Sequence, residues 1–384
     1  MPPVASACTR PAARGGNRFK LTVTRGPAPT GATAPRLHSL NADGFHSSAV
    51  TKGPIVEDSL FEWMGDDSIA IHGTYALATA ASGGEQITLS PKFELPFEVG
   101  DDLTIVDGKT YKVKATAKVT KTEPAAASES EAVDKLWETY RVDQKGRKFY
   151  TVSIDRPTAI EVGDLITSPQ RIGNGYVIRN NTCRFHRARG IQIKAGDGVI
   201  ENNTVEDINF AGITLGPELS VWLGSDYVKN VVVRNNTIRG TGRGGEGRRN
   251  ANFADIAAIV VRSLTLDREL SAAENANIVI ENNRIENPAG LAMFLSSATN
   301  LVVKDNTIVA PWSMGPTVSG KRFGVDPAAA VFVAAVEGAT FENNTIDLDG
   351  GTATKALATG RDANGLSGVE SGFTLKGAAP ASAE

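Results

Sequence analysis

The sequence predicts an all-β chain: a right-handed parallel β-helix with a small antiparallel β-barrel inserted in it. Three observations predict this. A short phrase recurs through the second half, a second apolar run follows most copies about twelve residues on, and 20 of the 23 asparagines fall between residues 174 and 344. The phrase is two β-branched or apolar residues, a charged residue, Asn or Asp, Asn, and Thr. It reads Val177-Ile178-Arg179-Asn180-Asn181-Thr182, then Val199-Ile200-Glu201-Asn202-Asn203-Thr204 and Val232-Val233-Arg234-Asn235-Asn236-Thr237. Later copies are centred on Glu281, Lys304 and Glu342, and Ile55-Val56-Glu57-Asp58-Ser59-Leu60 is an early relative. Two short β-branched strands per unit of about 22 residues are the pattern of stacked coils. Asn suits the bends, because it tolerates left-handed backbone and its amide can bond to the amide of the next coil.

Composition excludes several classes. The chain has 384 residues, a net charge of −3, two cysteines and four histidines. That balance argues against a general nucleic-acid binder, and two cysteines build neither a disulfide framework nor a structural zinc site. No apolar stretch reaches the ~20 residues of a membrane-spanning helix. No cofactor and no metal is implied, although an oxygen-rich cluster would also suit calcium. Nothing in the pattern specifies an oligomeric state.

Taken in order, residues 1–18 read as a ragged, disordered start without the apolar core of a secretory signal, a basic arm for a polyanion being the alternative. Residues 19–73 read as the first coils. Residues 74–173 contain no asparagine and show alternating strands such as Gln86-Ile87-Thr88-Leu89 and Phe149-Tyr150-Thr151-Val152, which predicts the barrel. They repeat a phrase, Phe97-Glu98-Val99-Gly100-Asp101 and Ile160-Glu161-Val162-Gly163-Asp164, on either side of a soft polar stretch, 124–131. Residues 174–350 read as the main β-helix. Residues 351–384 read as a loose tail in which Phe373 and Leu375 add one strand at most.

The chemistry concentrates in the first coils. Asn41-Ala42-Asp43-Gly44 and Gly65-Asp66-Asp67-Ser68 set Asp43 and Asp66 23 residues apart, one coil, and stacked coils lie about 4.8 Å apart. Three carboxyls so placed repel one another, which raises at least one pKa and keeps a proton available near neutrality. Glycoside cleavage needs such a set, an acid for the leaving oxygen and a base for water, with ~6.5–9.5 Å between them for inversion. The bland alternative is a set of turn aspartates. His46, His72 and Trp63 flank the cluster. Counting from the charged residue of each phrase, Arg189 falls one coil below Asp67, and Lys194 falls beside His72. A Gly/Arg segment, 239–249, and Pro311-Trp312-Ser313-Met314-Gly315 leave from the same corner, the former as a mobile loop at the cleft mouth. Trp222 and Trp312 are candidates for stacking on sugar rings.

These residues resemble two families of β-helical glycosidases. Asn41-Ala42-Asp43 and Asp66-Asp67 are similar to the first two motifs of family 28 polygalacturonases, while Ala188-Arg189-Gly190 and Gln192-Ile193-Lys194 stand where Gly-His-Gly and Arg-Ile-Lys would be. The α-1,3-galactosidases of glycoside hydrolase family 110 resemble the chain more closely. The resemblance lies in Ala42-Asp43-Gly44, Met64-Gly65-Asp66-Asp67, Ile71-His72-Gly73-Thr74-Tyr75, Arg187-Ala188-Arg189-Gly190-Ile191 and Val231-Val232-Val233-Arg234-Asn235-Asn236. It implies an exo-acting, metal-independent, inverting hydrolase of terminal α-galactose on an oligosaccharide or polysaccharide. Asp66 would be the general acid, and Asp43 and Asp67 would activate water. Position beside the cluster and coil offsets, apart from the resemblance, make His46, His72, Arg189, Lys194, Trp222 and Trp312 the candidates to hold the sugar, with a structural ion pair for Arg189 and packing under their own loops for the two tryptophans as the alternatives. It also implies a secreted or periplasmic setting for the intact family member. Trp222-Leu223-Gly224-Ser225-Asp226 lacks the Glu that the resemblance calls for after Trp222. A pectinase-like hydrolase on another glycan and a non-catalytic glycan-binding β-helix are the alternatives.

Overall fold

The computed structural model describes residues 7–9, 15–82, 84–126, 131–140, 147–219, 221–245, 257–265, 270, 274–315 and 323–377. The coils stack in three parallel ladders. One runs through Ile55–Glu57, Val177–Arg179, Gly198–Glu201 and Lys229–Arg234, pairing Val56 with Ile178, Ile178 with Ile200 and Ile200 with Val233. A second forms a 9-stranded sheet that includes Leu60–Glu62, Thr182–Arg184 and Thr204–Glu206. The third holds Phe45–Ser48, Ile69–Thr74, Ile191–Lys194 and Ile213–Leu215. Alternate side chains of a strand face opposite sides, so each three-residue strand sends its central side chain inward. Val56, Ile178, Ile200 and Val233 are buried on the first ladder, and Phe61, Cys183, Val205 and Ile238 on the second.

The two asparagines of each phrase have different tasks. The first takes the left-handed turn: Asn180, Asn202, Asn235 and Asn282 have φ of 56°, 56°, 55° and 54°. The second is buried in a column through Asn181, Asn203, Asn236, Asn283, Asn306 and Asn344. Within it each side-chain amide donates to the next amide oxygen at 2.9–3.0 Å. That column satisfies backbone as well, because the next Oδ1 accepts from each Asn backbone N–H at 3.0–3.1 Å. The charged residue before the pair alternates in sign from coil to coil: Glu57, Arg179, Glu201, Arg234, Glu281, Lys304, Glu342. Arg179 meets Glu57 at 2.7 Å, Arg234 meets Glu201 at 2.7 Å, and Lys304 meets Glu281 at 3.2 Å.

Between Thr74 and the coil at Val177 the chain leaves to close a six-stranded barrel. Its strands are Ala76–Ser82, Gln86–Pro91, Asp102–Val106, Val113–Ala125, Phe149–Ile154 and Leu165–Thr167. It has its own core, with Ile87, Leu103, Ile105, Val152 and Ile166. The repeated phrase is one turn used twice. Gly100 and Gly163 take φ of 95° and 96°, and the aspartates after them accept from the Glu98 and Glu161 backbone N–H at 2.8 and 2.6 Å. The strands that follow pair antiparallel with each other. A second apolar cluster, with Tyr75, Trp137, Tyr140, Leu219, Leu223 and Tyr227, fastens the barrel to the coils.

Three expectations are corrected. Residues 1–18 are not wholly ragged: Ala7–Thr9 pairs in parallel with Phe45–Ser47, and Arg18–Phe19 with Ile55–Val56. The tail carries three strands, Lys355–Thr359, Ala363–Ser367 and Phe373–Lys376, paired on the coil above. Their side chains are mostly exposed or half-buried, so there is little apolar alternation to read, and backbone pairing organises them. In the polar stretch, Pro124 and Ala125 end a strand and Glu131 opens a helix, Glu131–Thr139, while 127–130 lie outside the described residues.

Candidate active site

The acidic cluster sits where the second ladder turns into the third. Close approach there requires glycine: a Cβ on Gly44 would lie 2.6 Å from the Phe61 ring, and one on Gly65 would lie 2.8 Å from the Asn41 carbonyl oxygen. The coil takes 24 residues, not 23, because Phe45 pairs with Ile69 and His46 with Ala70. Asp43 therefore stacks on Asp67 rather than on Asp66, and its Oδ1 accepts from the Asp67 backbone N–H at 3.2 Å. Asp66 stands beside that stack. One oxygen from each of Asp43, Asp66 and Asp67 lies within 4.8 Å of the others.

The three carboxyls differ in access. Side-chain exposure is 43% for Asp66, 15% for Asp43 and 5% for Asp67. Burial pushes Asp67 up to about 7, and Asp43 and Asp66 add to the push against the pull of Arg189. Burial and the Asp43 charge also raise Asp66, against Arg187 and Arg189. Asp66 and Asp67 thus titrate together with Asp43 beside them, and a proton stays in the cluster toward neutral pH. Arg189 lies where the coil offsets place it. Its backbone N–H donates to Asp67 Oδ1 at 2.8 Å and its guanidinium stands 3.6 Å from Oδ2. Arg187, not singled out in the sequence, reaches Asp66 at 3.9 Å. Among the described residues these three aspartates are a group whose oxygens converge closely enough for a cation, but the two arginines already bring positive charge to them.

A carboxyl whose folded pKa is raised binds protons more tightly in the native chain than in the unfolded one, whose value is near 3.9. Stability then falls as pH rises from about 4 to about 7. Asp67→Asn removes one such group while its amide oxygen can still accept from Arg189. The variant is expected to melt at a higher temperature than the parent at pH 7.5 and to lose less stability between pH 5 and pH 7.5. Calorimetric melting at both pH values checks this, and an unchanged pH dependence would contradict it.

His46 and His72 lie on adjacent strands of the third ladder. His46 Nδ1 is 2.6 Å from Asp43 Oδ2, His46 Nε2 is 2.8 Å from His72 Nε2, and His72 Nδ1 is 2.5 Å from the Gly73 carbonyl oxygen. Lys194 is the register partner of His72. It is buried, and its Nζ binds Glu218 Oε2 at 3.0 Å. Burial raises the Glu218 carboxyl, but Lys194 and Arg189 outweigh it and hold Glu218 down at about 2. Glu218 was missed in the sequence. The 33-residue step from Glu201 to Arg234 marks an insertion there, and Glu218 brings a carboxylate to Lys194 and within electrostatic reach of Asp66, four residues before Trp222 rather than after it.

Trp222 is 59% exposed, with Lys92 from the barrel 4.1 Å over its ring. Trp312 is corrected: it is fully buried, and its indole N–H donates to the Ala329 carbonyl at 2.8 Å, so it packs under its loop and offers no face to a sugar. Trp63 stacks on Phe185 at 4.7 Å, with Arg25 at 3.7 Å from its ring. Of the Gly/Arg segment, Arg239 closes a strand and Arg243 faces Asp207 at 3.4 Å, while 246–249 lie outside the described residues. No helix among the described residues is long and apolar enough to cross a membrane.

Relatives of this chain carry the name that the motif resemblance implies. It is 27% identical over 280 residues to alpha-1,3-galactosidase B of Akkermansia muciniphila, covering 71% of this chain and 32% of that protein. It is 28% identical over 290 residues to alpha-1,3-galactosidase A of Peterkaempfera griseoplana, covering 71% and 36%. With alpha-1,3-galactosidase A of Bacteroides fragilis it shares 26% identity over 324 residues, covering 81% and 48%. The chain thus spans a third to a half of the length of these relatives. Among solved structures, the A-module of the mannuronan C-5 epimerase AlgE4 of Azotobacter vinelandii matches 88% of this chain and 62% of that one at 11% identity, with a TM-score of 0.34. The family model "Right handed beta helix region" matches residues 170–364. With its three parallel ladders and that match over half its length, the chain belongs to the right-handed β-helix family.

Proposed function

We propose that this chain is a glycoside hydrolase that removes terminal α-1,3-linked galactose with inversion, using the three aspartates as acid and base. The observation that carries the reading is the convergence of Asp43, Asp66 and Asp67 within 4.8 Å at one corner, with raised pKa values on Asp66 and Asp67. Asp66 is the most exposed of the three and reaches the leaving oxygen. A bound sugar desolvates it further and favours its protonated form. Asp43 and Asp67 lie deeper and accept the proton of the attacking water, Asp67 being held by Arg189 from two sides. The carboxyl oxygens are closer than the ~6.5–9.5 Å usual for inversion. Inversion therefore rests on the resemblance to the family 110 galactosidases and not on this spacing. Arg189 and Glu218 bring polar groups near the aspartates, with Lys194 buried behind Glu218, and the exposed Trp222 offers an apolar face to a ring. The galactose specificity rests on the names of the relatives.

A panel of p-nitrophenyl α-glycosides and galactosyl-α-1,3 oligosaccharides, with the product anomer followed by NMR, tests the reading. Release of β-galactose as the first product, unaffected by a chelator, is expected. First release of the α-anomer overturns inversion. Glycan binding without any cleavage points to a binding module, and loss of activity with chelator points to a cation at the aspartates.

A further inference from the structure

Three contacts run in series from the acidic cluster: Asp43 to His46, His46 to His72, and His72 to the carbonyl of Gly73. Each joins two polar atoms at 2.5–2.8 Å, and each needs one proton between them. The Gly73 oxygen can only accept. An ionised aspartate and two neutral imidazoles together carry two protons, one fewer than the contacts require. We infer that the Asp43–His46–His72 chain carries a third proton, held by the Asp43–His46 pair, and that both histidines are positioning residues for Asp43 rather than sugar ligands.

The location of that proton follows from the surroundings. Burial, the Lys194 charge and His46 hold the His72 pKa well below its ordinary value, and the Gly73 carbonyl and Glu218, which pull the other way, do not reverse this. His72 is therefore neutral. It donates from Nδ1 to Gly73 and accepts at Nε2 from His46, so His46 must carry its hydrogen on Nε2. The remaining proton lies in the 2.6 Å contact between His46 Nδ1 and Asp43 Oδ2. Asp66 and Asp67 face this pair from the neighbouring coil, and whichever of the two is ionised favours keeping the proton there. The rings meet edge to face, with centroids 4.7 Å apart at 72°, which fixes the line of the chain.

The consequence for catalysis rests on the hydrolase reading. Water bonds to the anomeric carbon and gives its proton to Asp43. The electron pair of the glycosidic C–O bond passes to the leaving oxygen, which takes the proton of Asp66. The leaving hydroxyl keeps the proton from Asp66, Asp43 releases its new proton to solvent, and Asp66 takes one back from solvent. His46 orients Asp43 and offsets its charge throughout. Without the third proton one contact opens and Asp43 is released from its orientation.

Ring-nitrogen NMR of the full chain labelled with 15N-histidine tests the inference, with His46→Gln and His72→Gln used to assign signals among the four histidines. His72 is expected as the Nδ1–H tautomer, with His46 protonated on Nε2 and a strongly deshielded proton shared with Asp43. His72 protonated on Nε2 alone, a charged His72, or a neutral His46 beside an ionised Asp43 would overturn it. In kinetics, His72→Gln should move the alkaline limb of kcat/KM to lower pH with KM unchanged. A rise in KM without that movement would make the ring a sugar ligand instead. Should the parent chain cleave no sugar, the hydrolase reading falls, and the ring-nitrogen signals still decide the proton chain.

Discussion

Asp66→Asn is expected to lower kcat/KM about 10³-fold while sugar binding and melting temperature stay close to those of the parent. A positioned general acid contributes roughly 10²–10⁴ in rate, and an amide of the same shape has no proton to give. The structural cost should be small, because the Asp66 side chain is 43% exposed and its charged neighbour, Arg187, stands off at 3.9 Å. Titration calorimetry with a galactosyl-α-1,3 oligosaccharide separates binding from turnover. Asp67→Asn provides the comparison. If Asp66→Asn keeps a tenth or more of the activity while Asp67→Asn loses it, the acid is Asp67 and the assignment of roles is reversed.

Asn236→Leu is expected to destabilise the fold by about 4 kcal/mol, the largest effect on stability foreseen for one buried polar side chain. The amide oxygen of Asn236 accepts from the Asn203 backbone and side chain, both at 3.0 Å, and its amide donates to the Ile200 carbonyl at 2.9 Å and to Asn283 at 3.0 Å. Leucine leaves these partners buried without water, at roughly 1–3 kcal/mol for each group left unsatisfied. The preceding residue is the control. Asn235 uses its left-handed φ of 55°, and Asn235→Ala should cost about 1–2 kcal/mol. Urea unfolding of both variants measures the difference. Equal losses would contradict the division of labour within the Asn pair.

The repeat was legible because its physics demands identity. A hydrogen-bonded column needs the same amide at the same place in every coil, so Asn181, Asn203, Asn236 and Asn283 stand out by recurrence. The inserted barrel was legible for the opposite reason, since period-two strands without asparagine interrupt that pattern. The acidic cluster was legible in membership but not in register. Counting residues gives 23 between Asp43 and Asp66, whereas strand pairing from Phe45 to Ile69 sets the coil at 24 and puts Asp67 under Asp43. Trp222 and Trp312 look alike in sequence. Burial separates them, and burial depends on the coils that close over Trp312. Glu218 carried no motif at all, and only the length of its insertion pointed to that turn.

The column of alternating charges limits how such a chain can grow or shrink. Removing one coil, for example the one headed by Glu201, would bring Arg179 against Arg234, and like charges directly opposite on neighbouring strands are unfavourable. Removing two coils restores opposite signs. Duplication and deletion in this molecule are thereby steered toward even numbers of turns, a parity rule written in side chains that never touch the cleft.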